Sequence, residues 1–509
     1  MAKPKSTPSP ERRLSILMAA SEAVPFAKTG GLADVAGALP RELARLGHSV
    51  RLVMPHYAGL DSGGHALTEW GRLDVPAPSG SVPVVIHQGV LHDDHLPPER
   101  QVQVLTVRYD PYFNRPGLYQ EAGTDYPDNL ERFALFSRAV MELLLRLEAT
   151  SNWVPDVLHA HDWQTALTVV YLKSLYADYA SRHHPASVYT IHNLGYQGIF
   201  PASAFSETGL PSSFFTPQWL EFYGSCNLMK GALLCADVLS TVSETYSREI
   251  QTKEFGFGLE GVLRERRDRI VGVVNGIDTA VWNPATDSYL PFRYSAKDLR
   301  GKQQCKAALQ QDLGLPPKRV PMIGVISRLS EQKGQDLIAE IVPELMALNV
   351  QLVLLGTGDP ALEQQFRSLQ DRYPDRLAAR ITFDEALAHR IEAGSDLFLM
   401  PSRYEPCGLS QLYSLRYGTV PVARRTGGLA DTIVPYSPLT MRARRATGFL
   451  FGEASGDSLL MAVLLALSVH KKAAEWRQVV QAGMKTDVSW ARSAEAYDAL
   501  YHQALNYVR

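Results

Sequence analysis

Short apolar runs alternate with amphipathic stretches along the whole chain. Residues 14–20, Leu-Ser-Ile-Leu-Met-Ala-Ala, carry almost no polar position, the pattern of a strand buried on both faces. A Gly-Gly turn and a helical period over about 32–46 follow, and 48–54 reads as a second strand, completing a βαβ unit. Further strands are predicted at 157–160, 187–191, 238–242 and 270–274, separated by helical stretches such as 163–176. This pattern predicts an α/β domain with a mostly parallel sheet. After a Pro-bearing, weakly periodic stretch at 282–293 the pattern starts again. Strands are predicted at 322–326, 351–355, 381–383, 397–400 and 420–423, with helices near 336–348, 361–372 and 409–417, and a closing helix at 493–508. The expected architecture is α/β, with two Rossmann-like domains facing a deep interdomain cleft. A disordered tail (1–13) precedes an N-terminal domain (14–280). A C-terminal domain (281–485) follows, and a last helical segment (486–509) packs back on the first domain.

One hexapeptide occurs twice. Thr29-Gly-Gly-Leu-Ala-Asp34 is repeated letter for letter as Thr426-Gly-Gly-Leu-Ala-Asp431, each time between a strand and a helix. Two readings stay open: an echo of two similar domains, or convergence on one turn chemistry, since Gly-Gly is common before helices.

Composition changes the picture little. At 509 residues, 45% hydrophobic and 20% charged, the chain is of ordinary globular type and long enough for two or three domains. A formal net charge of -2 provides no broad field for nucleic acid or an anionic membrane, so any anionic ligand must be held by local cations. Cys226, Cys235, Cys305 and Cys407 form no C-x-x-C pair, which suggests reduced thiols and a cytoplasmic setting. Lys3, Lys5, Arg12 and Arg13 before the first apolar run superficially resemble a signal peptide. That run, however, is only about seven residues long and is broken by Ser21-Glu22. No apolar stretch reaches the ~20 residues that span a bilayer.

The candidate chemistry lies where predicted strands end, as α/β folds require. Lys28-Thr-Gly30-Gly31 sets a cation beside a turn whose amides open a helix, which suits a diphosphate or a sugar hydroxyl. Arg328 and Lys333 follow the strand at 322–326, and two cations there suit a diphosphate; a solvated surface loop is the competing reading. After 397–400 comes Pro401-Ser-Arg-Tyr-Glu405-Pro-Cys407-Gly408-Leu409-Ser410-Gln411, a tight turn into a helix N-terminus. Glu405 there is placed to accept from sugar hydroxyls, or else to partner the helix dipole, while Cys407 reads as packing. His159-Ala-His161-Asp162 resembles a metal motif, but no ligand set of metal-site spacing accompanies it and no Asp-x-Asp occurs, so no metal is expected. His192, ending another strand, is either a sugar contact or a structural histidine.

Taken together, these segments resemble the bacterial and plastid glycogen/starch synthases, which are two-domain GT-B glycosyltransferases. The matching pieces are 28–35, His161-Asp162-Trp163, Ile191-His192-Asn193, Val274-Asn275-Gly276-Ile-Asp278, Ser327-Arg328 with Lys333-Gly334, 384–389, 402–411 and 426–431. Tyr126-x-Asp128-Asn129 with Arg132-Phe133 also matches, and the pieces run in the family's order along almost the whole chain. The resemblance implies transfer of glucose from ADP-glucose to the non-reducing end of an α-1,4-glucan such as glycogen, with retention, without metal or cofactor. It implies catalytic roles for Lys28, His192, Arg328, Lys333 and Glu405. It also implies substrate contacts at Gly30, Gly31, Tyr126, Asp162, Asn275, Cys407, Gly408, Leu409 and Ser410. Departures are slight: Phe257 stands where the family often has Cys, and Ser410 where Thr or Asn is common. The competing readings are a UDP-glucose-using relative and an inactive glucan-binding protein that kept the fold.

Overall fold

The computed structural model describes residues 12–61, 63–121 and 123–508. Most of the tail 1–13 therefore lies outside the described residues; of its end, Arg12 pairs with Asp156 at 2.6 Å. The chain forms two compact units. The first takes in the chain up to Thr241, then Ile250–Val273 and Ala491 onward; the second takes in Val242–Glu249 and Val274–Trp490.

The first unit is built on a nine-stranded sheet: β1 (Ser15–Ala19), β2 (Ser49–Pro55), β3 (Thr68–Ala77), β4 (Gly80–Leu91), β5 (Val102–Arg108), β6 (Val157–His161), β7 (Ala186–Ile191), β8 (Val238–Thr241) and β9 (Ile270–Gly272). Their spatial order is β9-β8-β7-β6-β1-β2-β5-β4-β3. The central strands are parallel and fully buried, as their unbroken apolar runs require. The β3–β4 hairpin pairs antiparallel and extends one edge. Helices α1 (Gly31–Leu46), α2 (Asn129–Ser151) and α3 (Asp162–Lys173) bury apolar faces in this unit.

The second unit holds six parallel strands: β10 (Met322–Ile326), β11 (Gln351–Leu355), β12 (Leu377–Arg380), β13 (Leu397–Met400), β14 (Val420–Arg424) and β15 (Phe449–Phe451). They are ordered β12-β11-β10-β13-β14-β15. Helices α4 (Gln335–Ala347), α5 (Ser410–Tyr417) and α6 (Gly427–Thr432) belong to this unit. Helix α7 (Trp490–Leu505) closes the chain. In each unit the order reverses beside the first strand, between β1 and β6 and between β10 and β13. Such a reversal splays the loops apart at the carboxyl ends of the two strands and opens a crevice.

One predicted strand is displaced. The third strand of the second unit is Leu377–Arg380, not 381–383, because Leu377, Ala378 and Ala379 are the buried positions while Phe383 is 86% exposed. The repeated hexapeptide does not mark equivalent places: the first copy follows the first strand of its unit and the second copy follows the fifth. What the copies share is local chemistry. A glutamate closes each turn, Glu22 accepting from the Thr29 amide and hydroxyl, and Glu249 accepting from the Thr426 hydroxyl (3.0 Å) and the Gly427 amide (3.1 Å). Of the two readings, turn chemistry is the one the topology supports.

Candidate active site

In the first unit the carboxyl ends of β1, β6 and β7 bring three acids and bases together. Glu22, in the loop after β1, is 4% exposed and is bonded to the amides of Thr29 and Gly30. The Gly30 amide, expected to face a ligand, is held together with the Thr29 amide by the chain's own carboxyl. Burial pushes Glu22 up to about 7 against these hydrogen bonds. Asp162 opens α3 directly after β6. Its φ of 54° is a left-handed conformation that Asp and Asn tolerate better than most residues. Its carboxyl accepts from the His192 amide at 2.7 Å and from the Asn193 amide, so the β6 and β7 ends are tied together. Burial raises Asp162 to about 7 as well.

His192 is 9% exposed, and its Nε2 lies 2.9 Å from Nδ1 of the fully buried His161. Lys28 pairs with Asp34 at 2.7 Å on the rim of the same turn, with 47% of its side chain exposed. Tyr126 is set apart from this group. Its hydroxyl accepts from the Gly117 amide, and the guanidiniums of Arg115 and Arg132 each lie 4.8 Å from its ring. Those contacts brace its own loop, which reaches the β1 end through the Tyr119–Ser21 bond of 2.7 Å.

In the second unit the carboxyl ends of β10 and β13 converge. Lys333 donates to both carboxylate oxygens of Glu405, at 2.9 and 2.6 Å, and the Ser402 hydroxyl donates at 2.9 Å. Glu405 is 4% exposed, so its charge is held by a full cation and a hydroxyl. Arg328 stands exposed at the same strand end and donates to Gln332 at 3.2 Å. The turn past Glu405 is tight. Gly408 has φ 73°, and Gln411 donates back to the Cys407 and Gly408 carbonyls. Gly408, Leu409 and Ser410 thus lead into α5, whose first amides have no partner within the helix.

Cys407 is buried and its sulfur accepts from the Asn275 backbone. Burial pushes the thiol up to about 12, so it packs and does not act as a nucleophile. Asn275 itself is 6% exposed, and its Oδ1 is a buried acceptor with no partner among the described residues. Gly427 lies against the Glu405 carbonyl, where a Cβ would come within 1.9 Å. Among the described residues no group of three His, Cys, Asp or Glu side chains is placed to hold a metal ion, and no helix is long and apolar enough to cross a membrane.

Residues 15–265 match the family of the starch synthase catalytic domain, and residues 309–482 match the group 1 glycosyl transferases. The chain is 48% identical over 493 residues to glycogen synthase 2 of Geobacter sulfurreducens, covering 96% of this chain and 99% of that protein. It is 47% identical over 491 residues to glycogen synthase of Koribacter versatilis, covering 96% and 98%.

The chain belongs to the starch and glycogen synthase family.

The catalytic domain of starch synthase IV from Arabidopsis thaliana, solved bound to ADP and acarbose, superposes with a TM-score of 0.87 at 34% identity, covering 97% of this chain and all of that one. Sucrose-phosphate synthase from Thermosynechococcus elongatus, at 17% identity and a TM-score of 0.58, shares the fold alone. The fold is therefore the GT-B glycosyltransferase fold with two parallel-sheet domains, and the protein is a glycosyltransferase of the glycogen synthase family. Sequence reasoning missed Glu22 and Glu249 as parts of the site, and singled out His161 only in a metal-like motif and a matching segment, with no role of its own. Glu22 left a signal, a carboxyl interrupting a buried apolar run, whereas Glu249 sits in a helix with no pattern to single it out.

Proposed function

We propose that this glycogen synthase relative transfers glucose from ADP-glucose to the non-reducing end of an α-1,4-glucan, with retention of configuration and without a metal or cofactor, in the cytoplasm. The observation that carries the proposal is the Lys333–Glu405–Ser402 cluster at the strand-order reversal of the second unit, with Arg328 beside it. Breaking the glycosyl–phosphate bond builds negative charge on the departing diphosphate. Arg328 and Lys333 neutralise that charge, and the α5 amides after Gly408, Leu409 and Ser410 add partial positive charge. Glu405, fixed by Lys333 and Ser402, accepts from the hydroxyls of the transferred glucose. In the first unit His192, Asp162 and Lys28 with the Gly30-Gly31 turn are the candidate substrate contacts, and in the second Asn275 offers its unpartnered Oδ1.

The acceptor hydroxyl attacks C1 on the face from which the diphosphate leaves. The C1–phosphate oxygen bond breaks, the C1–O4 bond forms, and the acceptor proton passes to the leaving phosphate oxygen. This route needs no covalent glucosyl carboxylate, and trapping one would overturn it. The ADP preference is supported by the family match and by the bound ADP of the Arabidopsis thaliana structure.

The test measures ADP and UDP release from ADP-glucose and UDP-glucose, with glycogen as acceptor and EDTA present, for the wild type and Glu405→Ala. Turnover of ADP-glucose that resists the chelator and is lost in the variant supports the proposal. Preference for UDP-glucose moves the donor assignment, and turnover that requires added metal overturns the metal-free route.

A further inference from the structure

Three histidines stack beneath the sugar-facing end of the first unit. His159 and His161 alternate on β6, and His192 follows β7. The His159 and His161 rings lie 4.0 Å apart, and the His161 and His192 rings 5.1 Å apart. His159 is fixed at both nitrogens: Nδ1 lies 2.9 Å from the Tyr501 hydroxyl on α7, and Nε2 lies 2.6 Å from Thr190 Oγ1. Thr190 in turn contacts Ser240 at 2.5 Å. The Thr165 hydroxyl, 2.7 Å from the His161 carbonyl, holds the backbone of the second histidine. The side chain of His161 makes one hydrogen bond, from Nδ1 to His192 Nε2 at 2.9 Å, while its own Nε2 is buried with no partner among the described residues.

That orphaned nitrogen decides between two proton arrangements. If His192 Nε2 carries the hydrogen, His161 Nδ1 must be bare and the proton of neutral His161 sits on Nε2, an N–H buried with nothing to receive it. If His161 Nδ1 carries the hydrogen, its Nε2 is a bare lone pair and no N–H is stranded. Stranded buried N–H groups are rarer than under-satisfied acceptors. Burial holds His159 and His192 down to about 3 and His161 well below its ordinary value, so a third, charged arrangement does not arise near neutrality.

We infer that His161 is a positioning residue that fixes the tautomer of His192. It donates from Nδ1 to His192 Nε2, so that His192 presents Nδ1–H, and only Nδ1–H, to a substrate oxygen. The inference rests on the reading that His192 meets the sugar. It makes His192 a permanent hydrogen-bond donor to a hydroxyl oxygen rather than a proton acceptor, in the way a buried partner fixes a catalytic imidazole elsewhere. The Tyr501–His159–Thr190 layer is the floor that keeps the His161 ring in place.

Two measurements test this. The first is long-range 15N–1H correlation on histidine-labelled protein, with His192 assigned through His192→Ala. The expected spectrum shows His192 protonated at Nδ1 and bare at Nε2; the reverse pattern in the wild type overturns the inference, whatever the activity. The second is a pair of variants. Asn places an amide nitrogen where histidine has Nδ1, and Gln places one where it has Nε2. His161→Asn should keep the Nδ1–H form of His192 and exceed the glucosyl-transfer kcat of His161→Gln by about tenfold, the worth of one well-aimed donor. Equal kcat and equal His192 spectra in the two variants would also overturn the inference. Because the spectra are read without substrate, a failure of the reading that His192 meets the sugar shows separately, as undiminished turnover in His192→Ala.

Discussion

Replacing Asp162 by Asn should stabilise the protein while impairing transfer, and the stabilisation should grow with pH. Asp162 is 9% exposed, and its carboxyl is raised from 3.8 to about 7 chiefly by burial. The folded state therefore holds a proton that the unfolded chain has already lost. The resulting contribution to stability is fully present below 3.8 and is lost as pH rises through about 7. For that displacement the charge penalty relative to a neutral side chain is about 2 kcal/mol at pH 5 and about 4 kcal/mol at pH 8. Asn adopts the φ of 54° without added strain, and its Oδ1 can accept from the His192 amide as the carboxyl does at 2.7 Å. Any packing cost of the substitution is the same at both pH values, so the quantity to measure is the difference of differences. Calorimetry of both proteins at pH 5 and pH 8 should show the variant's advantage increasing by about 2–3 kcal/mol, a rise of roughly 3–5 °C in its Tm advantage. Transfer from ADP-glucose by Asp162→Asn should fall in kcat at both pH values. A stability difference that does not change with pH would refute the reasoning, since it would mean that Asp162 is ionised in the folded protein at pH 5.

Other perturbations follow from the same geometry. Lys333→Ala should cost about 2–3 kcal/mol in stability, less than for a fully buried pair because Lys333 keeps 23% of its side chain exposed. Adding Glu405→Gln should recover part of that loss in denaturant titrations while leaving activity abolished. Gly427→Ala places a methyl 1.9 Å from the Glu405 carbonyl at a φ of 42° and should destabilise by about 3 kcal/mol or more, measured as a lower denaturation midpoint. Tyr501→Phe should cost about 1 kcal/mol through the lost bond to His159, visible as a Tm lower by about 2 °C.

The parallel strands were legible because buried strands are mostly apolar, and six runs in the first unit and four of the five in the second stood where the pattern put them; 102–108 and 449–451 were not singled out, and 381–383 fell just past the true strand. The β3–β4 hairpin was less visible. Its strands are half exposed, so their apolar positions are diluted by polar ones, and the turn at Ser79-Gly80 is the only sharp signal. The candidate site was legible wherever a polar motif directly follows an apolar run, as with Glu405 after β13 and Asp162 after β6. What remained hidden was the partner of each group. That Lys333 would hold Glu405, that Glu22 would take the Thr29 amide, and that His161 would sit on His192 all depend on which strands lie side by side. That order is set by the crossover connections and not by any local pattern.

The chain passes between its two units four times, at 241/242, 249/250, 273/274 and 490/491. Neither unit is therefore a continuous stretch of sequence, and the first cannot be completed until the segment from Ala491 onward has been made. The Tyr501 hydroxyl that secures His159 is encoded after the whole of the second unit. During synthesis the first unit must wait, with its sheet formed but one side of the histidine stack uncovered, while the whole second unit is added. A gene cut at residue 274 would yield an N-terminal fragment lacking α7, so separate expression of the halves should fail where co-expression with 491–509 restored to the first half succeeds.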